Sequence, residues 1–338
     1  MTTTKFAIIG AGAISQAYAQ AFQSISFQTY HEAEVVGIAD IRKPVADSLA
    51  EVLNCPSFDS YTALTEACEL DAVVICTPPA SHPEICHYFI DRGIHVLCEK
   101  PFAVNAKEAV EVVDAAKKKG VTITMASKFR YVEDVIKAKQ IVDSGILGDI
   151  VLFENAFTAR VGMANRWNSD PSVSGGGVLI DNGTHSFDIA RYFLGPLAEV
   201  EVMEGIRNQG LDVEETVRIF VRSQKGVIGN IDLSWSINKE LDRYISIYGS
   251  RGTVVVGWKE AKYHQSSSSE WVEFGSGYDK VGAFRNQLRN FTRAIQGEEQ
   301  LLINGTDAIA SVEVVEAAYE SLAENHWTAV KNGNNSQT

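Results

Sequence analysis

The chain has 338 residues, of which 45% are hydrophobic and 22% are charged, and its formal net charge is −13. These values are ordinary for a folded protein of about two domains, and they exclude collagen-like, coiled-coil and disordered classes. No basic stripe that could neutralise phosphates is visible, so we expect no nucleic-acid partner. No apolar run approaches the roughly 20 residues of a membrane span, so we expect no membrane partner.

The cysteine content and the N-terminal residues bear on the cellular compartment of the protein. Five cysteines is an odd number, and no C-x-x-C pair occurs among them. This pattern argues against a disulfide framework and favours a reducing compartment. A weak signal peptide is mimicked by Lys5, the apolar stretch from Phe6 to Ile14 and Ala17-Tyr18-Ala19, but the segment has a single positive charge and is broken by two glycines. We therefore predict a cytoplasmic protein.

The first part of the chain alternates short apolar runs with helical patterns. The runs are residues 5–9, 34–40, 71–76, 95–99 and 121–126. Because these runs are continuously apolar and interleave with helices, they predict a parallel sheet that is covered on both faces. Ser81 and Glu84 have the spacing of a capping box at one helix start. We predict an α/β fold whose residues 1–127 form a Rossmann dinucleotide-binding domain.

Beyond residue 128 the pattern changes to partly alternating segments. They are residues 150–158, 200–207, 216–222, 227–235, 244–248, 253–256 and 271–274. Consecutive strands with short links predict an open, mostly antiparallel sheet. We assign residues 128–330 to an α+β substrate-binding and oligomerisation domain and residues 331–338 to a disordered tail. The alternating Ile231, Leu233 and Trp235 predict a face that packs against a partner subunit.

A glycine pattern marks the first junction between strand and helix. Gly10 and Gly12 stand there, with Ser15 in the place of a third glycine. The first glycine permits a tight turn, the second lets the backbone approach a pyrophosphate, and the helix start supplies N–H donors. We predict that Gly10, Gly12, Ala13 and Ile14 bind a dinucleotide; the alternative is an ordinary glycine turn.

The end of the second strand bears on the choice between NAD and NADP. Asp40 lies there, where a carboxylate can accept both ribose hydroxyls of NAD and would repel a 2′-phosphate. It stands farther beyond Gly12 than the usual ~20 residues, so the first crossover carries extra residues. Arg42 is close enough to clamp a phosphate instead. We predict NAD, with NADP as the alternative.

A Glu-Lys-Pro segment follows the strand at residues 95–99. It lies at the carboxyl edge where α/β sheets bind ligands. With the glycine loop and Thr77-Pro78-Pro79, this segment resembles the Gfo/Idh/MocA family of NAD(P)-dependent oxidoreductases, and the resemblance spans about residues 6 to 190. Its other landmarks are Gly175-Gly176-Gly177 with Asp181, His185 and Asp188, then Arg130 in Lys128-Phe129-Arg130-Tyr131, and Gly145 with Gly148.

The resemblance implies roles for these residues. Lys100 would donate hydrogen bonds to the reacting oxygen, His185 would be the general base, and Asp181 would orient the substrate or the base. Spacing alone places Asp181, His185 and Asp188 on one helix face, where they either line a cleft or are satisfied core groups. The further cofactor-binding residues are predicted to be Asp40, Arg42, Thr77, Pro78, His82, Glu99 and Lys100.

Three more residues are predicted on the substrate side. They are Arg130, Arg160 and Trp167, although Trp167 could equally cover the edge of the core. We also predict a cis bond between Lys100 and Pro101. No cluster of His, Cys and Asp has metal-ligand spacing, so no metal is expected.

The function implied is an NAD(P)-dependent dehydrogenase. It would interconvert a secondary alcohol and a ketone on a sugar, cyclitol or nucleotide-linked sugar, in a homodimer or homotetramer formed through the C-terminal sheet. Two alternatives stay open: a non-catalytic NAD(P)-binding regulator on the same fold, and a glycosidase that uses bound NAD in a transient oxidation. Retention of Lys100, Asp181 and His185 counts against the regulator.

Overall fold

The computed structural model describes residues 3–24 and 32–332. The predicted disordered tail therefore lies, from residue 333 onward, outside the described residues. Among the helices that are described, none is both long and apolar enough to cross a bilayer.

Six strands form the first sheet in the order β3-β2-β1-β4-β5-β6, and every neighbouring pair is parallel. This order is that of the dinucleotide-binding doubly wound fold, so the predicted Rossmann domain is confirmed. The strands are β1 (Thr4–Ile9), β2 (Ala33–Ala39), β3 (Ser57–Phe58), β4 (Ala72–Ile75), β5 (His95–Glu99) and β6 (Ile123–Ala126). The sequence did not predict β3, because two residues carry no periodicity.

Helices connect these strands and flank the sheet. They are α1 (Ala13–Phe22), α2 (Lys43–Leu53), α3 (Tyr61–Ala67), α4 (His82–Asp91) and α5 (Ala106–Lys119). The predicted capping box at α4 is wrong, because a 3₁₀ turn over Pro79–Ser81 precedes the helix and no side-chain cap forms. The Ser81 hydroxyl instead donates to Pro78 O at 2.8 Å, and Glu84 accepts from the Tyr61 hydroxyl at 3.0 Å.

A late segment of the chain belongs to the first compact unit. This unit contains the described residues up to Ala103, then Lys107–Lys128 and Lys280–Ile309. The sequence places residues 280–309 with the second domain, whereas the helix α9 (Lys280–Ile295) packs against the first. Its Phe284 ring meets the Tyr18 ring edge-on, with the ring centroids 4.7 Å apart, and the centroids of Phe291 and Phe6 are 6.1 Å apart. An apolar helix face does not by itself reveal which core it joins.

Nine strands form the sheet of the second unit in the order β14-β13-β12-β11-β7-β10-β9-β8-β15. All neighbouring pairs are antiparallel except β7 with β10, so the prediction of a mostly antiparallel sheet is confirmed. Because β7 and β10 are not joined by a hairpin, no tight turn forces them to run in opposite directions. The strands are β7 (Ile150–Thr158), β8 (Leu197–Glu204), β9 (Thr216–Ser223), β10 (Ile228–Ser234), β11 (Arg243–Gly249), β12 (Gly252–Gly257), β13 (Ala261–Gln265), β14 (Val272–Gly275) and β15 (Thr328–Ala329).

Helices also lie among the strands of this half of the chain. They are α6 (Glu133–Asp143), α7 (Pro171–Ser174), α8 (Val178–Leu194) and α10 (Gly305–Glu324). The prediction that Ile231, Leu233 and Trp235 face a partner subunit is wrong, since all three are buried within this chain. A Cβ on Gly183 of α8 would lie 3.3 Å from Leu233 Cδ1, so this face of β10 packs against α8.

Candidate active site

The glycine loop after β1 has one glycine that the fold needs and one that it does not. Gly10 has φ +92°, and a Cβ there would lie 2.8 Å from the backbone carbon of Cys76. Gly12 has φ −73°, and a Cβ there would meet no atom within 4 Å. Ser15 is buried and donates to Gly10 O at 2.5 Å, so a hydroxyl closes the loop where a third glycine is usual. The open space at Gly12 fits the close approach of a pyrophosphate.

Asp40 is fixed beside this loop. Its Oδ2 accepts from Ala11 N and its Oδ1 from Arg42 N, each at 2.8 Å. The Arg42 side chain is exposed, and its Nε lies 3.6 Å from Asp40 Oδ1. Each carboxylate oxygen keeps a second lone pair for a ribose hydroxyl.

An exposed apolar residue follows Asp40 and was missed by the sequence analysis. Ile41 is 91% exposed, although large aliphatic side chains are usually buried. Its position directly after the strand-end carboxylate was the signal that could have identified it. The flat face of a ring such as adenine could pack against this side chain.

His82 joins the Thr77 loop to the turn after β5. The ring is buried, with Nε2 2.8 Å from Thr77 O and Nδ1 2.9 Å from Pro101 O. Burial lowers the pKa of His82 despite these backbone contacts. Both ring nitrogens therefore face protein carbonyls, which corrects the predicted cofactor contact: His82 positions the loop carrying Thr77 and Pro78. The predicted cis bond between Lys100 and Pro101 is present.

Glu99 is buried at the end of β5 and holds the backbone of Lys100. Its Oε1 accepts from the Tyr18 hydroxyl at 2.8 Å and its Oε2 from Lys100 N at 3.1 Å. Gln287 Nε2 donates to the same Tyr18 hydroxyl at 2.9 Å. Burial raises the pKa of Glu99, and Tyr18, Lys100 and Lys128 oppose that shift. Neither Tyr18 nor Gln287, which fix this carboxyl group, was predicted from the sequence.

In the second unit, α8 carries the predicted acid and imidazole groups. Asp181 lies half-buried in its first turn, and His185 is buried one turn later. The His185 ring meets the Phe129 and Phe157 rings edge-on, with ring centroids 5.0 Å and 6.5 Å away. Aromatic packing therefore fixes the plane of this imidazole.

Arg130 has a protein partner rather than a free guanidinium. Its Nη2 lies 2.6 Å from Asp188 Oδ1, and its Nε donates to Asp188 Oδ2 at 2.9 Å. Both side chains are buried, and the pair is bidentate. The pair ties the segment after β6 to α8, and substrate binding by Arg130 stays a prediction.

Arg130→Gln is expected to lower the free energy of unfolding by about 3–5 kcal/mol, because it removes one partner of a buried ion pair. Urea unfolding measures this loss. The matched control is Lys107→Gln, which removes an exposed ion pair with Glu111 and is expected to cost at most about 1 kcal/mol. Equal losses in the two variants would contradict the role assigned to the buried pair.

Arg160 and Trp167 lie on the surface of the second unit. Trp167 is 45% exposed in a 3₁₀ turn, which leaves its indole open to a ligand. Arg160 lines a cavity of about 190 Å³ together with Asn208, Gln209 and Ser236. Over residues 3–24 and 32–332, no group of three His, Cys, Asp or Glu side chains could hold a metal ion.

Comparisons with known proteins agree with this arrangement. Inositol 2-dehydrogenase of Rhizobium meliloti (strain 1021) is 25% identical over 97% of this chain and 99% of its own length. Glucose-6-phosphate 3-dehydrogenase of Bacillus subtilis (strain 168) is 26% identical over 94% of this chain and 95% of its own. A levoglucosan dehydrogenase in complex with NADH and levoglucosan has the same fold, with a TM-score of 0.89, 21% identity, and coverage of 98% of this chain and 100% of that one.

Family models match both halves of the chain. Residues 4–127 match an oxidoreductase family with an NAD-binding Rossmann fold, GFO_IDH_MocA. Residues 135–255 match the GFO/IDH/MocA C-terminal domain.

Proposed function

Because the chain belongs to the Gfo/Idh/MocA family of oxidoreductases with an NAD-binding Rossmann fold, we propose that it oxidises a secondary alcohol of a sugar or cyclitol, or catalyses the reverse reaction. The observation that carries this proposal is Lys100, which follows β5 with its backbone held by the buried Glu99. This lysine and the Gly12 loop share the carboxyl edge of one parallel sheet, where such sheets bind ligands.

Within the proposal, each polar group has one task. Lys100 donates hydrogen bonds to the reacting oxygen and stabilises negative charge as it develops there. His185 takes the hydroxyl proton, since an imidazole titrates near working pH. Asp181, one helical turn earlier, orients the substrate or the base. Bound NAD supplies the hydride acceptor at its nicotinamide ring.

Two observations support the proposed substrate class: the names of the relatives, and the exposed side chains that a ligand can reach. Relatives over nearly the full chain are named for inositol and for glucose 6-phosphate. The exposed Arg160 and Trp167 could hydrogen-bond and stack with a polyol. The residues that we propose to bind NAD are Gly10, Gly12, Ala13, Ile14, Asp40, Arg42, Thr77, Pro78, Glu99 and Lys100.

Absorbance at 340 nm with NAD and a panel of sugars and cyclitols tests the proposal. Net reduction of NAD with turnover supports the dehydrogenase. Binding of NAD without turnover on any compound would favour the regulator, and sugar release without net absorbance would favour the glycosidase.

Asp40→Asn is expected to reduce the preference for NAD over NADP by about 10- to 100-fold, because it removes the charge that repels a 2′-phosphate but keeps an acceptor for Ala11 N. The ratio of kcat/KM for the two cofactors measures the change. Asp47→Asn, on the exposed surface of α2, is the control and should leave the ratio as it is. An unchanged ratio in Asp40→Asn would mean that another group selects the cofactor.

The outer face of the second sheet is our proposed subunit contact. Ile228 and Met203 are exposed on this face, and the half-buried Phe220 lies in the strand between theirs, opposite Asn230 of β10 and Glu201 of β8. Apolar side chains on an uncovered sheet face are typical of association surfaces. We therefore propose a homodimer or homotetramer through this face, and a cytoplasmic location in keeping with the five free cysteines.

A further inference from the structure

One buried glutamate holds the start of α8. Glu214 Oε1 accepts from Gly177 N at 2.9 Å and from Leu179 N at 3.0 Å, and its backbone oxygen accepts from Val178 N at 2.9 Å. The first N–H groups of a helix have no partner within the helix, and its positive end favours a carboxylate. Tyr319 donates its hydroxyl to the same Oε1 at 2.9 Å. The start of this helix is thus fixed by residues distant in the sequence.

The glycines before α8 make room for this contact. A Cβ on Gly176 would overlap the hydroxyl oxygen of Tyr319, and a Cβ on Gly177 would overlap the backbone oxygen of Glu214. Gly176 also has φ +159°, at the limit of the region that favours glycine. The glycine run therefore serves Glu214 and Tyr319 as well as the turn itself.

The next residue, Glu215, holds a different part of the same unit. It is buried, and its carboxylate accepts from Asn208 N at 2.8 Å, from Gln209 N at 2.7 Å and from the Ser236 hydroxyl at 2.6 Å. Two adjacent glutamates thus hold two different parts of the second unit. Glu215 fixes the loop that contains Gln209.

Gln209 in turn fixes the segment that carries Arg160. Its Nε2 donates to Val161 O at 3.0 Å, and its Oε1 accepts from Met163 N at 2.9 Å. Arg160 and Gln209 line the same cavity. A displacement of the Gln209 loop would therefore move the backbone next to Arg160.

The two carboxyl groups differ in their electrostatic surroundings. Burial raises the pKa of Glu214 more than its hydrogen bonds lower it. Burial also favours the neutral form of Glu215, but hydrogen bonds from Ser236, Asn208 and Gln209 outweigh it, and the pKa of Glu215 is lowered. The ionised form of Glu215 thus stabilises the fold above its ordinary pKa, and this contribution is lost as the pH falls through the lowered value.

From these contacts we infer that Glu214 and Glu215 are positioning residues: Glu214 sets the helix that carries Asp181 and His185, and Glu215 sets, through Gln209, the segment that carries Arg160. The inference rests on the proposed function for the roles of His185 and Arg160. The two effects are separable: Glu214 acts on the chemical step, and Glu215 acts on substrate binding.

Glu214→Gln, Tyr319→Phe and Glu215→Gln test this in the full-length protein, with Glu270→Gln, in the exposed segment between β13 and β14, as control. Glu214→Gln keeps an acceptor oxygen and is expected to lower kcat about 10-fold, with KM within two-fold of wild type. Glu215→Gln is expected to raise KM about 10-fold and to leave kcat within two-fold. Circular dichroism and the melting temperature establish that each variant is folded.

Two readouts need no substrate. Amide hydrogen exchange at residues 177–181 is expected to be faster in Glu214→Gln and Tyr319→Phe and unchanged in Glu215→Gln. The pKa of His185, followed by its NMR ring signals, is expected to shift in Glu214→Gln but not in Glu270→Gln. If wild type oxidises no sugar, the proposed function fails, and these two readouts still decide the positioning role.

Unchanged exchange at residues 177–181 in both folded variants, Glu214→Gln and Tyr319→Phe, would overturn the role of Glu214. Equal effects of Glu214→Gln and Glu215→Gln on kcat and KM would overturn the separation of their roles. Tyr319→Phe keeps the test valid where Glu214→Gln fails to fold, because it removes only one hydroxyl donor.

Discussion

Lys100→Met and His185→Ala are each expected to lower turnover by about 10²- to 10⁴-fold, while the Kd for NAD changes by no more than a few-fold. Loss of Lys100 removes the donor that stabilises charge on the reacting oxygen. Loss of His185 removes the base that accepts the hydroxyl proton. Most of the dinucleotide is proposed to bind at the glycine loop and at Asp40, and neither substitution changes those positions. Steady-state rates at 340 nm and fluorescence titration with NAD measure the two quantities.

Matched controls separate these roles from general effects of losing a charge or a ring. Lys107 is 86% exposed at the start of α5, and His326 is exposed after α10. Lys107→Met and His326→Ala are expected to keep turnover within two-fold of wild type. Undiminished turnover in both Lys100→Met and His185→Ala would remove the assignment of the catalytic groups.

Gly12→Ala is expected to weaken NAD binding by about 10²-fold without a change in melting temperature. The added methyl group enters open space, so it meets nothing in the protein but occupies the room proposed for the pyrophosphate. Isothermal titration with NAD and a thermal melt of the same sample measure the two effects. NAD binding as tight as in wild type would place the pyrophosphate elsewhere.

Two other glycine variants separate backbone strain from steric overlap. Gly10→Ala combines φ +92° with a Cβ 2.8 Å from the Cys76 backbone, so we expect it to destabilise the fold. Gly93 has φ +75°, but a Cβ at this position would meet no atom within 4 Å. Gly93→Ala should therefore show only the cost of the left-handed backbone, about 1–2 kcal/mol.

Local patterns in the sequence predicted most of the first sheet and the helix that carries His185. Continuous apolar runs identified β1, β2, β4, β5 and β6 because both faces of a parallel sheet are buried. The two-residue β3 and the short helix α3 lack enough residues for a period. The parallel pairing of β7 with β10 depends on contacts between segments that are distant in sequence.

Partners of buried polar groups could not be predicted in this way. The pairing of Arg130 with Asp188, and of Glu99 with Tyr18, joins residues far apart in the chain. A sequence shows that a charged residue is present but not whether it faces a ligand or another side chain. For Arg130 and His82 the structure supplied a protein partner; for Ile41 it revealed exposure that the apolar side chain alone would not suggest.

Residues 280–309 belong to the first compact unit although they follow the second in the chain, and this limits how chimeric enzymes can be built. Gln287, which completes the contact of Tyr18 with Glu99, lies in this late segment of the chain. A nucleotide-binding module excised at residue 127 would lack this helix and expose the apolar surface around Phe6 and Tyr18. Exchange of cofactor preference between relatives by module grafting therefore requires two non-contiguous pieces to be transplanted together.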